Sequence, residues 1–206
     1  RHEILITQVQ RRTVSTNSHG YVELNTMNHS VKEIFFYIQP RKHVNNREYF
    51  NFGSREKYLP AEYENIKSYD YEDYKKLPKY HLLDRARLIF DGKDRIPWKN
   101  YKYYYYLQNY ENFKNSADHY VYMYCWALKP TWFKIVSGSC NFSRIDNAQL
   151  QAKFSTVPVR TITSNLGNLE INGSVSQDYP ANFTLFATNY NYLVIENGMA
   201  GLEFDN

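Results

Sequence analysis

The sequence predicts an all-β fold, arranged as an antiparallel β-sandwich with one long loop insert. Tyrosine, which favours strands, occurs 21 times among the 206 residues. Short runs of β-branched and aromatic residues recur along the chain, and turn-forming residues separate them. Because 43% of the residues are apolar, a chain of this length can bury one sizeable core, so we expect residues 1–206 to form a single domain.

The first third of the chain predicts two strands followed by the insert. Residues 2–9 and 31–39 are β-rich runs, and a polar segment separates them. Pro40 cannot donate a hydrogen bond to a neighbouring strand, and the alternation of apolar and polar residues stops there. We expect residues 41–83 to form a variable surface insert with a short helix near residues 61–66.

Regular structure is expected to resume in the middle of the chain. Residues 85–90 predict a strand that ends in Asp91 and Gly92, a dipeptide suited to a tight turn with positive φ. The tyrosine-rich residues 101–107 predict another strand, and residues 119–128 give the clearest strand pattern of the chain.

The last third predicts the remaining strands. Residues 147–154 alternate, with Ala148, Leu150 and Ala152 on the same face as Phe154, which favours a strand over a helix. Weaker candidates follow in residues 157–182, and residues 183–204 contribute the last two strands. The total of about eight strands is the number that a jelly roll requires.

Composition bounds the range of partners. The net charge is +4, and the basic residues are interspersed with acids, so no nucleic-acid-binding surface is indicated. No apolar run approaches the ~20 residues of a membrane-spanning helix. Cys125 and Cys140 are too few for a disulfide framework and are predicted to be reduced. Because the chain opens at Arg1 without methionine, we expect it to be part of a longer polypeptide.

Catalytic and metal sites are not indicated. Residues 137–146 contain serine, cysteine and an acid, but no histidine that would act as the base of a nucleophile. We expect Arg144 and Asp146 instead to fix a corner, through an ion pair or backbone hydrogen bonds. The six histidines lack zinc-ligand spacing, and the acids of residues 62–73 alternate with lysines as in a solvated loop. No cofactor is expected.

Aromatic residues leave a second function open. Tyrosines together with Trp98, Trp126 and Trp132 are the side chains that a jelly-roll carbohydrate-binding module would use to stack on sugar rings. The same enrichment is typical of protein–protein interfaces, so composition does not decide between them. A hydrolase on the same scaffold is a third alternative.

Three segments, residues 120–130, 137–150 and 187–202, resemble in order and spacing the C-terminal half of the major capsid proteins of nucleocytoplasmic large DNA viruses. Residues 8–10 and 31–33 are similar to the opening strands of that half. The turn at 91–95 matches with Asp91 in place of the usual asparagine. The matching motif residues are Gly92, Arg95, Pro130, Gly138, Asn141, Arg144, Asp146, Gly198 and Gly201. The closing glycines are expected to permit a bend or close backbone approach.

The resemblance implies a structural role. The chain departs from the family pattern at two places. Residues 135–136 stand where the family usually has Gln-Pro, and residues 109–114 stand where it usually has a histidine-rich stretch. Family members join two jelly rolls in one chain, and three chains form a trimer of six-fold outline that tiles an icosahedral shell. The implied partners are copies of the same chain, neighbouring capsomers and minor capsid proteins. The implied location is the virion, after assembly in the host cytoplasm, and no enzymatic activity is expected.

Overall fold

The computed structural model describes residues 1–17, 19–45, 47, 49–53, 81–115, 120–132, 135–155 and 180–204, and these residues form two packed antiparallel sheets. The strands are β1 (His2–Thr16), β2 (His19–Glu23), β3 (Ser30–Pro40), β4 (Leu83–Phe90), β5 (Lys93–Asn100), β6 (Tyr122–Cys125), β7 (Cys140–Asn141), β8 (Ala148–Phe154), β9 (Ala181–Glu196) and β10 (Met199–Leu202). The helices are α1 (Arg41–Asn45), a π-helical turn (Tyr103–Leu107), α2 (Gln108–Phe113) and a 3₁₀ turn (Phe142–Arg144).

The strand order is that of a jelly roll. One sheet runs β1-β9-β3-β6, with the short β10 and β7 added beside β9 and β3, and the other runs β2-β8-β4-β5. All of these pairs are antiparallel. Eight strands therefore build the two four-stranded sheets, which confirms the predicted fold class.

The core lies between the two sheets and is filled from alternate strand positions. In β8, Ala148, Leu150 and Ala152 are buried and Phe154 is half-buried, as the alternation predicted for a strand. Phe36 of β3 packs on Tyr122 and Phe183 of its own sheet and edge to face on Tyr104 of the helical turn. Phe154 of the other sheet packs edge to face on Phe183, which joins the two sheets. The largest fully buried side chains are Tyr104, Tyr122, Phe36, Phe183, Leu24, Ile34, Ile38, Leu82, Leu83, Leu88, Met123 and Leu150.

The strand register shows which connections lie at each end of the sandwich. At one end, Pro40 pairs with Ala181 and Leu83 pairs with Phe154, so the connections 41–82 and 155–180 both leave and return there. We call it the insert end, and we call the opposite end, which holds residues 137–147, the corner end. The helix expected near residues 61–66 and most of the strand candidates of 157–182 lie outside the described residues.

Three strand predictions need correction. The first strand extends to Thr16, well beyond residue 9, because it pairs with β9 over its whole length. The polar segment after it contains a strand, β2, in which Val22 is the only large side chain fully buried among those described. The clearest predicted strand, 119–128, is reduced to Tyr122–Cys125, since Tyr120 has φ of 59° and turns the chain just before it.

The tyrosine-rich residues 101–107 are not a strand, contrary to the prediction from their residue types. Tyr103–Leu107 form a π-helical turn that continues directly into α2. The winding places Tyr104 in the core, where its hydroxyl donates a 3.0 Å hydrogen bond to the carbonyl oxygen of Ala86, while Tyr106 stays exposed. Strand propensity is a weak preference, and this packing overrides it.

The same tyrosines enclose His81 at the insert end. Its ring stacks on Tyr101 at 4.1 Å between centroids, and Tyr105 and Tyr120 pack edge to face against it. Its Nδ1 lies 3.2 Å from the hydroxyl of Tyr122. Desolvation by this packing lowers the pKa of His81 from 6.5 to about 4.

The His81 environment predicts a loss of stability in acid. Between pH 6.5 and about 4 the unfolded chain binds a proton at His81 that the folded protein excludes, so this part of the stability is present above pH 6.5 and lost as the pH falls through about 4. Thermal melts of a His81→Gln variant should show a flatter decline over this range than wild type. The matched control His2→Gln, at an exposed position, should keep the wild-type slope. Parallel slopes for wild type and His81→Gln would contradict the assignment.

Candidate functional site

The corner end contains every motif residue singled out from the sequence. The turn between β4 and β5 has φ of 48° at Asp91 and 76° at Gly92, as predicted for a tight hairpin turn. The Asp91 carboxylate accepts a 2.9 Å hydrogen bond from the backbone N–H of Asn147, whose carbonyl oxygen accepts a 2.7 Å hydrogen bond from the N–H of Asp91. The hairpin turn is thereby attached to the entry of β8, so the turn motif and the corner form one unit.

Gly138 lies where the corner crosses the end of β6. Its φ is 138°, and a Cβ atom built there would lie 2.7 Å from the carbonyl oxygen of Trp126 and 3.3 Å from the Cα of Ala127. Two hydrogen bonds hold this crossing together, from the N–H of Leu128 to the carbonyl oxygen of Ser137 and from the N–H of Lys129 to the Ser137 hydroxyl. Only glycine fits this close approach.

The rest of the corner is fixed by hydrogen bonds around one buried ring. Asn141 Oδ1 accepts from the N–H of Ser143 and thereby caps the 3₁₀ turn, and the Ser143 hydroxyl accepts a 2.8 Å hydrogen bond from the N–H of His29. Between them Phe142 is buried against Phe90 and Trp126, with its ring 5.6 Å and 5.5 Å from theirs. The corner is therefore built by backbone hydrogen bonds and packing.

A buried ion pair lies under the loop that precedes the corner. The β-bulge at residues 31–33 breaks the alternation of β3, so the consecutive side chains of Lys32 and Glu33 lie together, with Nζ and Oε1 3.3 Å apart. Both side chains are almost fully buried. Lys32 Nζ also donates a 3.1 Å hydrogen bond to the carbonyl oxygen of Pro130, so the motif residue Pro130 is held against the buried ion pair. Burial raises the pKa of Glu33, while Lys32 opposes the shift.

The remaining motif residues differ from expectation. Gly198 has φ of 78° in the turn between β9 and β10, where the chain bends as expected. Among the described residues, no atom lies within 4 Å of a Cβ atom built there or at Gly201, so the alternative of a close backbone approach is wrong for these two glycines. Arg144 and Asp146 are exposed, and within the described part of the chain they form no ion pair with each other. Arg95 is also exposed. Its positive charge lowers the pKa of Cys140, although burial raises that pKa by more.

Large apolar side chains are exposed around the corner end. The loop before the corner exposes Leu128, at 85%, together with Trp132 and Ile135. The extension formed by β1, β9 and β10 beyond the sandwich exposes a second set: Ile4, Tyr192, Met199, Leu202 and Phe204. Neither group is apparent from the sequence, because exposure depends on where the strands stop being covered. Exposed apolar groups of this size are typical of protein contact surfaces.

The chemistry of the corner does not support nucleophilic catalysis. Burial raises the pKa of Cys140 and raises that of Cys125 to about 12, so both thiols are held protonated. The Cys125 Sγ instead donates to the carbonyl oxygen of Ala127 at 3.3 Å. Among the described residues no group of histidine, cysteine and acid side chains is arranged to hold a metal ion, and no helix has the length and apolarity to cross a membrane.

The cysteines give a direct test. Both are unpaired and half-buried in the structure. Alkylation of the denatured protein without reductant should therefore modify both residues, whereas alkylation of the native protein should be slow because their thiolate populations are small. Mass spectrometry distinguishes these states. A quantitative disulfide between Cys125 and Cys140 would contradict the prediction.

The tryptophans are not arranged as a sugar-binding platform. Trp126 packs on Tyr124 and Phe142, with its indole nitrogen buried. The ring of Trp132 is covered by Lys129, whose Nζ lies 3.9 Å from the ring centroid. Trp98 is surrounded by cationic side chains. Stacking on a pyranose needs a free aromatic face, so this arrangement does not favour the carbohydrate-binding alternative.

Comparisons with known proteins agree on one family. A family model described as large eukaryotic DNA virus major capsid protein matches residues 1–201. The chain is 35% identical over 127 residues to the major capsid protein of Paramecium bursaria Chlorella virus 1, a match that covers 61% of this chain and 29% of that protein. It is 36% identical over 121 residues to the major capsid protein of Chrysochromulina ericina virus, covering 59% of this chain and 18% of the relative.

Solved structures give the same fold. A quasi-atomic model of the PBCV-1 virus capsid superposes with a TM-score of 0.68 and 25% identity, covering 100% of this chain and 52% of that one. The Faustovirus major capsid protein superposes with a TM-score of 0.64 at 13% identity, covering 94% of this chain and 34% of that chain, which supports the fold alone. The chain thus spans about half the length of the first structure, and its sequence matches cover less than a third of the curated relatives.

Proposed function

The chain belongs to the family of large eukaryotic DNA virus major capsid proteins, and from this membership we propose that it is the C-terminal jelly-roll lobe of such a protein and acts by self-association in the virus shell. The family is one of structural proteins, in agreement with the expectation that the chain is not an enzyme. No chemistry is required of the lobe, because its work is the formation of protein–protein contacts.

One observation carries the proposal. The whole chain superposes on about half of a virus capsid chain, as expected if a single jelly roll corresponds to one lobe of a two-lobe protein. Three such two-lobe chains place six similar lobes around one axis, which gives a trimeric capsomer with a pseudo-hexameric outline that tiles an icosahedral shell. The partners would be copies of the chain, neighbouring capsomers and minor capsid proteins, and the site of function would be the virion.

The two ends of the sandwich suggest how the lobe is oriented. The insert end carries the connections 41–82 and 155–180, and we infer that it forms the outer surface, where long connections do not interfere with tiling. The corner end is fixed by hydrogen bonds and exposes Leu128 and Met199, at 85% and 74%. We therefore place lobe-to-lobe contacts at the corner end, with burial of these apolar side chains as a source of binding free energy.

Light scattering on purified protein tests the proposal. The full-length protein should form a discrete trimer, whereas residues 1–206 alone should be monomeric at low concentration and associate non-specifically at high concentration, because a lone lobe lacks half of its partners. In the full-length protein, the double variant Leu128→Ser/Met199→Ser should weaken the trimer. The matched control Phe50→Ser, equally exposed but in the segment that follows β3 at the insert end, should leave the trimer intact.

The opposite outcomes are informative. A stable trimer formed by residues 1–206 alone would show that this lobe carries the assembly interface by itself. Equal weakening by Phe50→Ser would contradict the placement of contacts at the corner end. Specific sugar binding without any association of the full-length protein would overturn the proposal in favour of a carbohydrate-binding module.

A further inference from the structure

A cluster of cationic side chains surrounds Trp98 on the outer face of the sheet β2-β8-β4-β5. Because Ala86 and Leu88 of β4 point into the core, Arg85 and Arg87 point away from it. The Cζ atoms of Arg87 and Arg85 lie 4.9 Å and 5.6 Å from the centroid of the Trp98 ring. Lys153 of the neighbouring strand β8 brings its Nζ to 5.4 Å from the same centroid.

This cluster concentrates like charges that the local acids only partly compensate. Arg85 and Lys153 are directly opposed across the β4–β8 pair, a position where like charges destabilise a sheet. Asp94 lies 3.4 Å from Arg87 and Asp84 lies 3.5 Å from Arg85, but within the described residues no carboxylate pairs with Lys153. Cation–π contacts with Trp98 offset part of the repulsion and hold the three cations around one ring.

The residue types around the cluster are those that dominate protein interfaces. A row crosses all four strands of the sheet, from Tyr21 through Gln151 and Arg87 to Trp98. Tyr21 is 56% exposed, and Arg87 is oriented by a 3.0 Å hydrogen bond from its Nε to Gln151 Oε1. Tyrosine, arginine and tryptophan are the side chains in which binding energy is most often concentrated.

The chemistry of the face favours a protein partner. Two shallow depressions of the described surface, one beside Met199 and one beside Arg12 and Tyr21, do not include Trp98 or the cations around it. A sheet face with guanidinium groups beside an indole suits a protein surface that presents carboxylates, because arginine binds a carboxylate through two parallel hydrogen bonds.

From this arrangement we propose that the outer face of the sheet β2-β8-β4-β5 is a docking surface for an acidic protein surface, with Arg85, Arg87 and Trp98 as its anchor. Carboxylates of the partner pair with Lys153 and share the two guanidinium groups with Asp84 and Asp94, which neutralises the excess charge. Trp98 holds the cations in place, and the exposed Tyr21 supplies apolar contact area. Binding at this face does not require the trimer proposed above, because none of its residues belongs to the corner end.

Fluorescence titration of the full-length protein with poly-L-glutamate tests the proposal, since Trp98 lies inside the surface. Wild type should bind in dilute buffer with a change in tryptophan emission, and binding should weaken as salt is raised from about 0.05 M to about 0.5 M. The variant Arg85→Gln/Arg87→Gln should lower the affinity at least about tenfold, which corresponds to about 1.4 kcal/mol. The charge-retaining Arg85→Lys/Arg87→Lys should lose less.

The control variant removes the same charge from the same residue type elsewhere. Arg11 on β1 of the other sheet and Arg144 at the corner end are exposed and lie outside the proposed surface, so Arg11→Gln/Arg144→Gln should bind as wild type does. If the double variant at the cluster melts early, the single variant Arg85→Gln, at a half-exposed side chain, supplies the same measurement. Equal losses in cluster and control variants would overturn the proposal, as would an absence of binding to wild type. Tighter binding of duplex DNA or anionic vesicles through the same arginines would overturn the choice of a protein partner.

Discussion

Replacement of Gly138 by alanine is expected to destabilise the protein by about 3 kcal/mol or more. The added Cβ would lie 2.7 Å from the carbonyl oxygen of Trp126, a backbone atom that cannot rotate away. The φ of 138° is also unfavourable for a residue with a side chain. In a chain of this size, each 1 kcal/mol lowers the melting temperature by about 2–4 °C, so the change is measurable in a thermal melt.

Two other glycines provide matched controls for this substitution. Gly198→Ala adds the penalty of a positive φ without a clash and should cost about 1 kcal/mol. Gly201→Ala has neither problem and should change the free energy of unfolding by less than about 0.5 kcal/mol. Three equal shifts would contradict the close approach of backbones at Gly138.

Replacement of Lys32 by methionine is the second substitution with a large expected effect, a loss of about 3–5 kcal/mol. Methionine preserves most of the length of the lysine side chain but leaves Glu33 buried without a counter-charge and the Pro130 carbonyl without its donor. Because the pKa of Glu33 is already raised, a protonated glutamate is the form that the buried site tolerates. The loss should therefore shrink as the pH falls towards the ordinary glutamate pKa of 4.5 and change little below it, because there the carboxyl is protonated in the unfolded chain as well.

The double variant Lys32→Met/Glu33→Gln separates a charge effect from a packing effect. Since it removes both charges, it should be considerably more stable than Lys32→Met alone. Chemical denaturation of wild type, the two single variants and the double variant gives the coupling energy directly. If the double variant is as unstable as Lys32→Met, packing of the lysine stem, and not the unpaired charge, is responsible.

Sequence reasoning succeeded where the local pattern and the tertiary environment agree. The alternation in residues 147–154 and the Asp91–Gly92 dipeptide each specify a local conformation, and the structure has both. It failed for residues 101–107, because a tyrosine-rich segment can form either a strand or a helix. The helical form here depends on a tertiary contact, the burial of Tyr104 with its hydroxyl on the carbonyl oxygen of Ala86. The strand β2 was missed because its few buried residues do not produce a recognisable alternation.

The corner motif was found, but its physical basis was only partly predicted. A sequence pattern shows that glycine recurs in a motif, yet it does not show which glycine touches another backbone, and the contact is at Gly138 instead of Gly198 or Gly201. In the same way, the pairing of Lys32 with Glu33 depends on a β-bulge, because consecutive strand residues normally point to opposite faces. Both features arise from long-range packing that no local pattern encodes.

The pairing of Pro40 with Ala181 and of Leu83 with Phe154 has a consequence for engineering. Both long connections depart from strand positions that are already held in register by the sandwich, at the end away from the corner. Lengthening a connection between fixed ends costs only about 0.6 kcal/mol for each doubling of its length. A foreign peptide grafted between residues 53 and 81 would therefore be carried by the folded lobe at little cost in stability. In the proposed orientation, each capsomer would display three copies of that peptide to the surroundings of the particle, which makes this connection a natural site for epitope display.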